Sequence, residues 1–272
     1  MPNLNRHHDL HALLQRLNLG GMAESFADLA LRASKENLSH EAYLYELAKH
    51  EEEQRTQRRT ARLLRASGLP AEKTFRSFEP SWLPAHVQLQ VERLKTGTFV
   101  ETATNVIAVG KPGVGKSHCM AAVGYQLVQL GHAVLWTPTS TLVQRLLAAK
   151  RDLQLPQELS KLDKFACIIL DDIGYVQHDR DEMEVLFTLL SDRYERKSVI
   201  ITTNLVFSEW NQIFKNPMTT MAAIDRVVHH SVILDMMGVE SYRAKEANHR
   251  HLPTSLVDGE QSAEMVVTGG PR

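Results

Sequence analysis

The leucines at positions 10, 13, 14 and 17 recur at i, i+3, i+4 and i+7, the spacing of one face of a helix, which Gly20-Gly21 is predicted to stop. A second helix is predicted over residues 22–34, with Phe26, Leu29 and Ala30 facing inward. Ser39 reads as the N-cap of a long polar helix over 40–66, closed by Gly68 and Pro70. Residues 75–84 then turn to Phe, Ser, Pro and Trp, a connector leading into a further helix that begins near Pro84. Beyond Gly97 the pattern changes again. Short apolar runs at 105–109, 133–136, 165–170, 198–201 and 231–234 alternate with helical segments, which predicts an α/β fold. Its parallel five-stranded sheet is flanked by helices. The expected organisation is a helical N-terminal domain over 1–75, an α/β domain over 76–250, and a disordered tail over 251–272, where periodicity ends.

The chain has 272 residues, enough for a sizeable core. With 31 Lys and Arg against 32 Asp and Glu, it is no polycation, so any contact with nucleic acid must come from local patches. No apolar stretch is long enough for a membrane span, and His7, His8, Asp9 and His11 interrupt the first twenty residues where a signal peptide would need a continuous apolar run. The two cysteines, Cys119 and Cys167, both fall in predicted buried elements, which fits a reducing, cytoplasmic setting.

The most specific motif is Gly110-Lys111-Pro112-Gly113-Val114-Gly115-Lys116-Ser117, which matches G-x-x-x-x-G-K-[ST] at every fixed position. It lies between an apolar run and a helix-compatible segment starting at His118. Its glycines let the backbone wrap a phosphate chain, the helix N-terminus adds positive potential, and Lys116 can reach β and γ phosphates. Ser117 would supply a hydroxyl to Mg²⁺. The run 165–170 ends in Asp171-Asp172, two carboxylates at the carboxyl end of a buried strand, where an open α/β sheet binds ligands. Asp171 suits the magnesium shell, and Asp172 suits orientation of the attacking water. The run 198–201 leads into Thr202-Thr203-Asn204, and the Asn204 amide could report a γ-phosphate.

Together, Gly110 to Ser117, Asp171-Asp172, Asn204, Asp225-Arg226 and Ser241-Tyr242-Arg243 resemble the AAA+ ATPases. More narrowly they resemble the IstB-like transposition helper proteins, relatives of the DnaC helicase loaders. The resemblance implies a Walker A loop from Gly110 to Ser117, with His118 following in the nucleotide-binding set, and a Walker B pair at Asp171 and Asp172. It implies sensor 1 at Asn204, an arginine finger at Arg226, and sensor 2 at Arg243 on a truncated lid. Asp172 stands where the wider class has Glu, so a slow, DNA-stimulated ATP hydrolysis is expected. The implied cofactors are ATP and Mg²⁺. The implied role is assembly on target DNA and delivery of that DNA to a partner transposase, the alternative being a DnaC-like loader of a replicative helicase. A small-molecule kinase and a nucleotide-locked scaffold without turnover are the other readings.

Arg226 near a helix end can complete a neighbour's site, which would generate a homo-oligomeric ring or spiral, or it can be a local helix-end cation. Arg55, Arg58, Arg59, Arg62 and Arg65 form one stripe at helical spacing, either a phosphate-contacting surface or a solvated face with a Glu51–Arg55 pair. Between the second and third apolar runs, Arg145, Lys150 and Arg151 lie on a segment that is either an extra helical pair facing duplex DNA or an ordinary crossover. A repeating array gripping the DNA backbone would have weak sequence preference. The histidines at 7, 8 and 11 and at 229 and 230 lack the third ligand of a zinc site.

Overall fold

The computed structural model describes residues 2–175, 180–212 and 217–242. Arg243 and the tail over 251–272 lie outside the described residues. Three helices open the chain: α1 (Pro2–Arg16), α2 (Gly20–Glu36) and α3 (His40–Ser67). Ser39 caps α3 by accepting from the Ala42 amide, and Gly68 ends it with a φ of 67°.

The first turn corrects the expected helix stop. Gly20 and Gly21 do not break the chain but open α2, and the turn is made by Asn18 with a φ of 57°. The physical reason is close approach. A Cβ on Gly21 would sit 3.0 Å from Glu51 Oε2, and one on Gly20 would sit 2.9 Å from the Arg58 guanidinium. Glu51 is 4% exposed, and its Oε2 accepts from the Met22 amide at 3.0 Å, so α3 supplies the cap for the positive end of α2. Burial works to raise the Glu51 pKa, but Arg55 and the amides of Met22 and Gly21 outweigh it and hold the carboxyl below its ordinary value.

Leu14, Ala23, Phe26 and Leu47 form the small core of these helices, whereas Leu10, Leu13 and Leu17 are exposed. The far end of α3 belongs to a different core. Leu63 and Leu64 pack against the main α/β cluster, and α3 contacts both β2 and α6.

The rest of the described chain continues with α4 (Ala85–Leu94), α5 (Thr98–Glu101), β1 (Asn105–Val109), α6 (Lys116–Gln129), β2 (Val134–Pro138), α7 (Thr139–Arg151) and α8 (Leu155–Leu162). It closes with β3 (Cys167–Asp171), α9 (Arg180–Arg193), β4 (Ser198–Thr203), α10 (Pro217–Val228) and β5 (Ser231–Asp235). The five strands form one parallel sheet in the order β2-β3-β4-β1-β5. Side-chain alternation along the strands divides the core in two. Val106, Ala108, Cys167, Ile169 and Ile200 face α4 and α6, while Ile107, Val109, Ile168, Leu170, Val199 and Ile201 face α7, α8, α9 and α10. Burial on both faces explains why these strands read as continuous apolar runs.

Arg193, only 1% exposed, staples the amino-terminal edge of the sheet. It donates to the carbonyls of Leu162, Phe165, Ala166 and Ser198. The opposite, carboxyl-terminal edge is where the polar residues collect. Cys119 and Cys167 are both buried, and burial pushes each thiol up to about 12. No described helix is long and apolar enough to cross a membrane.

Candidate nucleotide site

The loop from Gly110 to Ser117 leaves β1 and enters α6 directly, so the amino terminus of α6 begins at Lys116. Gly113 and Gly115 take φ values of 83° and 90°, which side-chain-bearing residues rarely adopt. At Gly115 a Cβ would also stand 2.7 Å from the Trp82 ring. Val114 is fully buried and pins the loop to the core. Lys116 is 8% exposed, and its Nζ donates to the carbonyl oxygens of Gly110 at 2.6 Å and Lys111 at 3.0 Å. These bonds fold the ammonium over the loop, where an anion would lie.

Hydrogen bonding ties three strand ends together. Gly110 donates its amide to Thr203 O, so β4 holds the start of the loop. Asp171 ends β3, and its carbonyl accepts from Thr139 Oγ1 at 3.0 Å. Thr202 Oγ1 donates to Asp171 Oδ1 at 2.6 Å and accepts from the Asp172 amide at 2.8 Å. Asp172 has a φ of 64°, in the left-handed region that Asp tolerates better than most residues. Burial, and then the neighbouring Asp171 charge, push the Asp172 pKa up, against a smaller opposing effect of Lys116. Asn204, just beyond β4, is half-buried, and its Oδ1 is buried without a hydrogen-bond partner in the structure. The oxygen-only pair of Ser117 hydroxyl and Asp171 carboxylate suits a hard cation such as Mg²⁺.

Lys73, Phe78 and Trp82 were not singled out from the sequence as site residues. The connector before α4 folds back onto the loop and forms a cleft lined by Lys73, Phe78, Trp82, Gly115, His118 and Tyr242. The Phe78 and Trp82 centroids are 5.8 Å apart, and those of Trp82 and Tyr242 are 5.6 Å apart. The Tyr242 amide donates to Gly113 O. These rings offer a planar base a stacking surface beside the phosphate loop. His118 fastens the connector: its Nε2 is 3.2 Å from both Thr74 O and Ser77 Oγ, and its ring is 5.2 Å from Phe78. Burial lowers its pKa. The available signal was the density of aromatic residues in a segment otherwise read as a connector.

Arg226 lies near the end of α10. Its guanidinium stacks over the Phe187 ring at 4.9 Å and donates to Ala222 O, and neither contact involves the phosphate loop. The basic stripe on α3 is partly engaged within the chain: Arg55 pairs with Glu51 and donates to Asn18 O, Arg58 pairs with Glu24, and Arg59 donates to Gly131 O. Arg62 is exposed. The segment between β2 and β3 does form two helices, but Leu142, Val143, Leu146 and Leu162 cover the sheet as crossover helices do. On their outer faces Arg145 pairs with Glu158, Lys150 with Asp181 and Glu184, and Arg151 lies 3.8 Å from Asp152. His7 packs against Phe26, and His230 lies 3.3 Å from Glu195.

The sheet order, the phosphate loop and the polar strand ends beside it define an ATP-binding AAA+ ATPase. The fold is similar to that of the DnaC helicase loader, with a TM-score of 0.52 and 16% identity, covering 61% of this chain and 97% of that one. It is also similar to AMPPCP-bound DnaA from Aquifex aeolicus, with a TM-score of 0.52 and 15% identity, covering 68% and 56%. Within that class the chain belongs to the IstB-like ATP binding protein family, which it matches over residues 12–250. It is 40% identical to an insertion sequence ATP-binding protein of Sinorhizobium fredii over 95% of this chain and 88% of that protein. It is 35% identical to the insertion sequence IS21 ATP-binding protein of Pseudomonas aeruginosa, over 96% and 98%.

Proposed function

We propose that the chain is an ATP-switched, DNA-binding oligomer that serves transposition by gripping target DNA and delivering it to a partner transposase. The observation that carries this reading is the convergence of Lys116, Asp171, Asp172 and Asn204 at one sheet edge, in a chain of an insertion-sequence ATP-binding family.

Lys116 and the amides of the loop hold the β and γ phosphates, and Phe78, Trp82 and Tyr242 hold the base. Ser117 and Asp171 hold Mg²⁺, which when bound neutralises charge on the phosphate oxygens. Asp172, whose pKa is pushed up by burial and by the Asp171 charge, orients the attacking water, and Asn204 reads the terminal phosphate. Arg226 leaves its parking place on Phe187 to meet the γ-phosphate of an adjoining copy. Arg243 acts as sensor 2. Head-to-tail completion of this kind generates a ring or a spiral. DNA is gripped through its backbone by the exposed arginines of α3, with Arg62 foremost, and by Arg145, Lys150 and Arg151 once their surface pairs are exchanged for phosphate.

The test is sedimentation of the full chain with and without ATP and duplex DNA. Assembly that requires both, and that Lys116→Ala abolishes, supports the reading. A species that stays monomeric with saturating nucleotide and duplex overturns it. Retention of a replicative helicase in place of a transposase would move the role to a loader.

A further inference from the structure

One buried hydroxyl bridges the Asp171 carboxylate and the Asp172 backbone amide at the end of β3, and we infer that Thr202 is the positioning residue that assigns the two acids different tasks. The inference rests on the proposed nucleotide site and adds the group that sets its metal-binding geometry.

The strand register places Ile201 opposite Leu170, so Thr202 arrives beside Asp171. Thr202 is 1% exposed, so its hydroxyl exchanges few bonds with solvent. A threonine hydroxyl carries one hydrogen and two lone pairs. The Asp172 amide can only donate, so the bond at 2.8 Å occupies a lone pair of Thr202 Oγ1. The single hydroxyl hydrogen is thereby left for Asp171 Oδ1, 2.6 Å away. This polarity cannot reverse, because the amide has no acceptor to offer.

Two consequences follow for the site. Asp171 has one oxygen committed to a charge-assisted bond, and its backbone carbonyl is held by Thr139 Oγ1 from the other side. Its remaining carboxylate oxygen is then presented in a fixed direction to the cation. Asp172, in contrast, is held by its backbone in the left-handed conformation, and its carboxylate takes no part in the Thr202 bonds. One hydroxyl therefore fixes the metal ligand and holds the neighbouring backbone in the turn that separates the second acid from it.

The experiment measures binding of a fluorescent ATP analogue to the full chain, with chelator and across a Mg²⁺ titration, for wild type, Thr202→Val and Thr202→Ser. Thr202→Val keeps the shape and removes the hydroxyl, so the Mg²⁺ midpoint should rise about 10–100-fold while metal-free nucleotide affinity stays within about twofold. Thr202→Ser should restore the wild-type midpoint. A Thr202→Val titration superimposable on wild type, or an equal loss of metal-free affinity, overturns the inference. If Thr202→Val does not fold, Thr202→Ala carries the same expectation without the added methyl. Wild type that binds the analogue with no response to Mg²⁺ would instead overturn the metal role of Asp171 in the underlying site.

Discussion

Gly174 and Asn204 are packed so closely that a Cβ built on the glycine would stand 2.1 Å from Asn204 Oδ1. The bare α-carbon leaves room for the amide beside the strand end that carries Asp171. Gly174→Ala should displace Asn204 and lower ATP turnover roughly 10–100-fold, the range a displacement of about 1 Å gives, with nucleotide affinity nearly unchanged. Turnover equal to wild type would show that Asn204 can give way without cost.

Asp172 carries a pKa raised by burial and by Asp171, which sets the signs of two effects. A carboxyl raised on folding favours the fold at low pH and loses that contribution as pH rises through its folded pKa. At neutral pH the charged group is therefore a local burden, which solvent screening reduces, and Asp172→Asn should raise Tm by at most about 2 °C. The same change should leave nucleotide binding intact and suppress hydrolysis, removing the acid limb of the rate profile. A lower Tm together with normal turnover would contradict both statements.

Glu51 behaves in the opposite sense, because its folded pKa is depressed below the ordinary value of 4.5. Its contribution is fully present above that value and is lost as pH falls through the folded pKa. Glu51→Gln should cost about 1–2 kcal/mol in urea unfolding at pH 7, the magnitude of a lost helix cap. The difference between variant and wild type should shrink below pH 4.5. A constant difference across that range would mean that the carboxylate charge contributes nothing.

Arg62 is exposed and holds no hydrogen bond or ion pair among the described residues, unlike Arg55, Arg58 and Arg59. Arg62→Ala should weaken duplex binding and lower the salt slope by about 1 per subunit while leaving the melting temperature unchanged. Filter binding at several salt concentrations reads both. An unchanged slope would remove Arg62 from the interface.

Arg226→Ala should keep nucleotide affinity and cut hydrolysis by at least about 10³-fold if the guanidinium acts across subunits. Mixing this variant with Lys116→Ala should restore part of the activity, since each copy then lacks a different half of the shared site. Absence of any recovery would return Arg226 to its contact with Phe187 as a local role.

The strand ends were legible because a parallel sheet buried on both faces leaves an unbroken apolar signal, and Asn105–Val109 coincides with its expected run. The phosphate loop was legible because its glycines and lysine are fixed by local geometry. What escaped was set by contacts between distant segments. Nothing near Gly20 in sequence announces that Glu51 will cap the next helix, and Leu10, Leu13 and Leu17 keep helical spacing although they are exposed. Trp82 and Tyr242 are 160 positions apart and meet only because the connector folds back over the loop. Thr202 reads as one more β-branched strand residue until the register sets it beside Asp171.

The 28 residues of α3 extend for about 42 Å at a rise of ~1.5 Å each. One end is seated on the sheet, with Arg59 fastened to Gly131 just past the helix that starts at the phosphate loop, and the other carries α1 and α2. A rod held this way magnifies. If the seat tilts by about 5°, the tip at His40, about 28 Å from Arg59, sweeps roughly 2.5 Å, so a small adjustment around bound phosphate would become a larger swing of the amino-terminal helices.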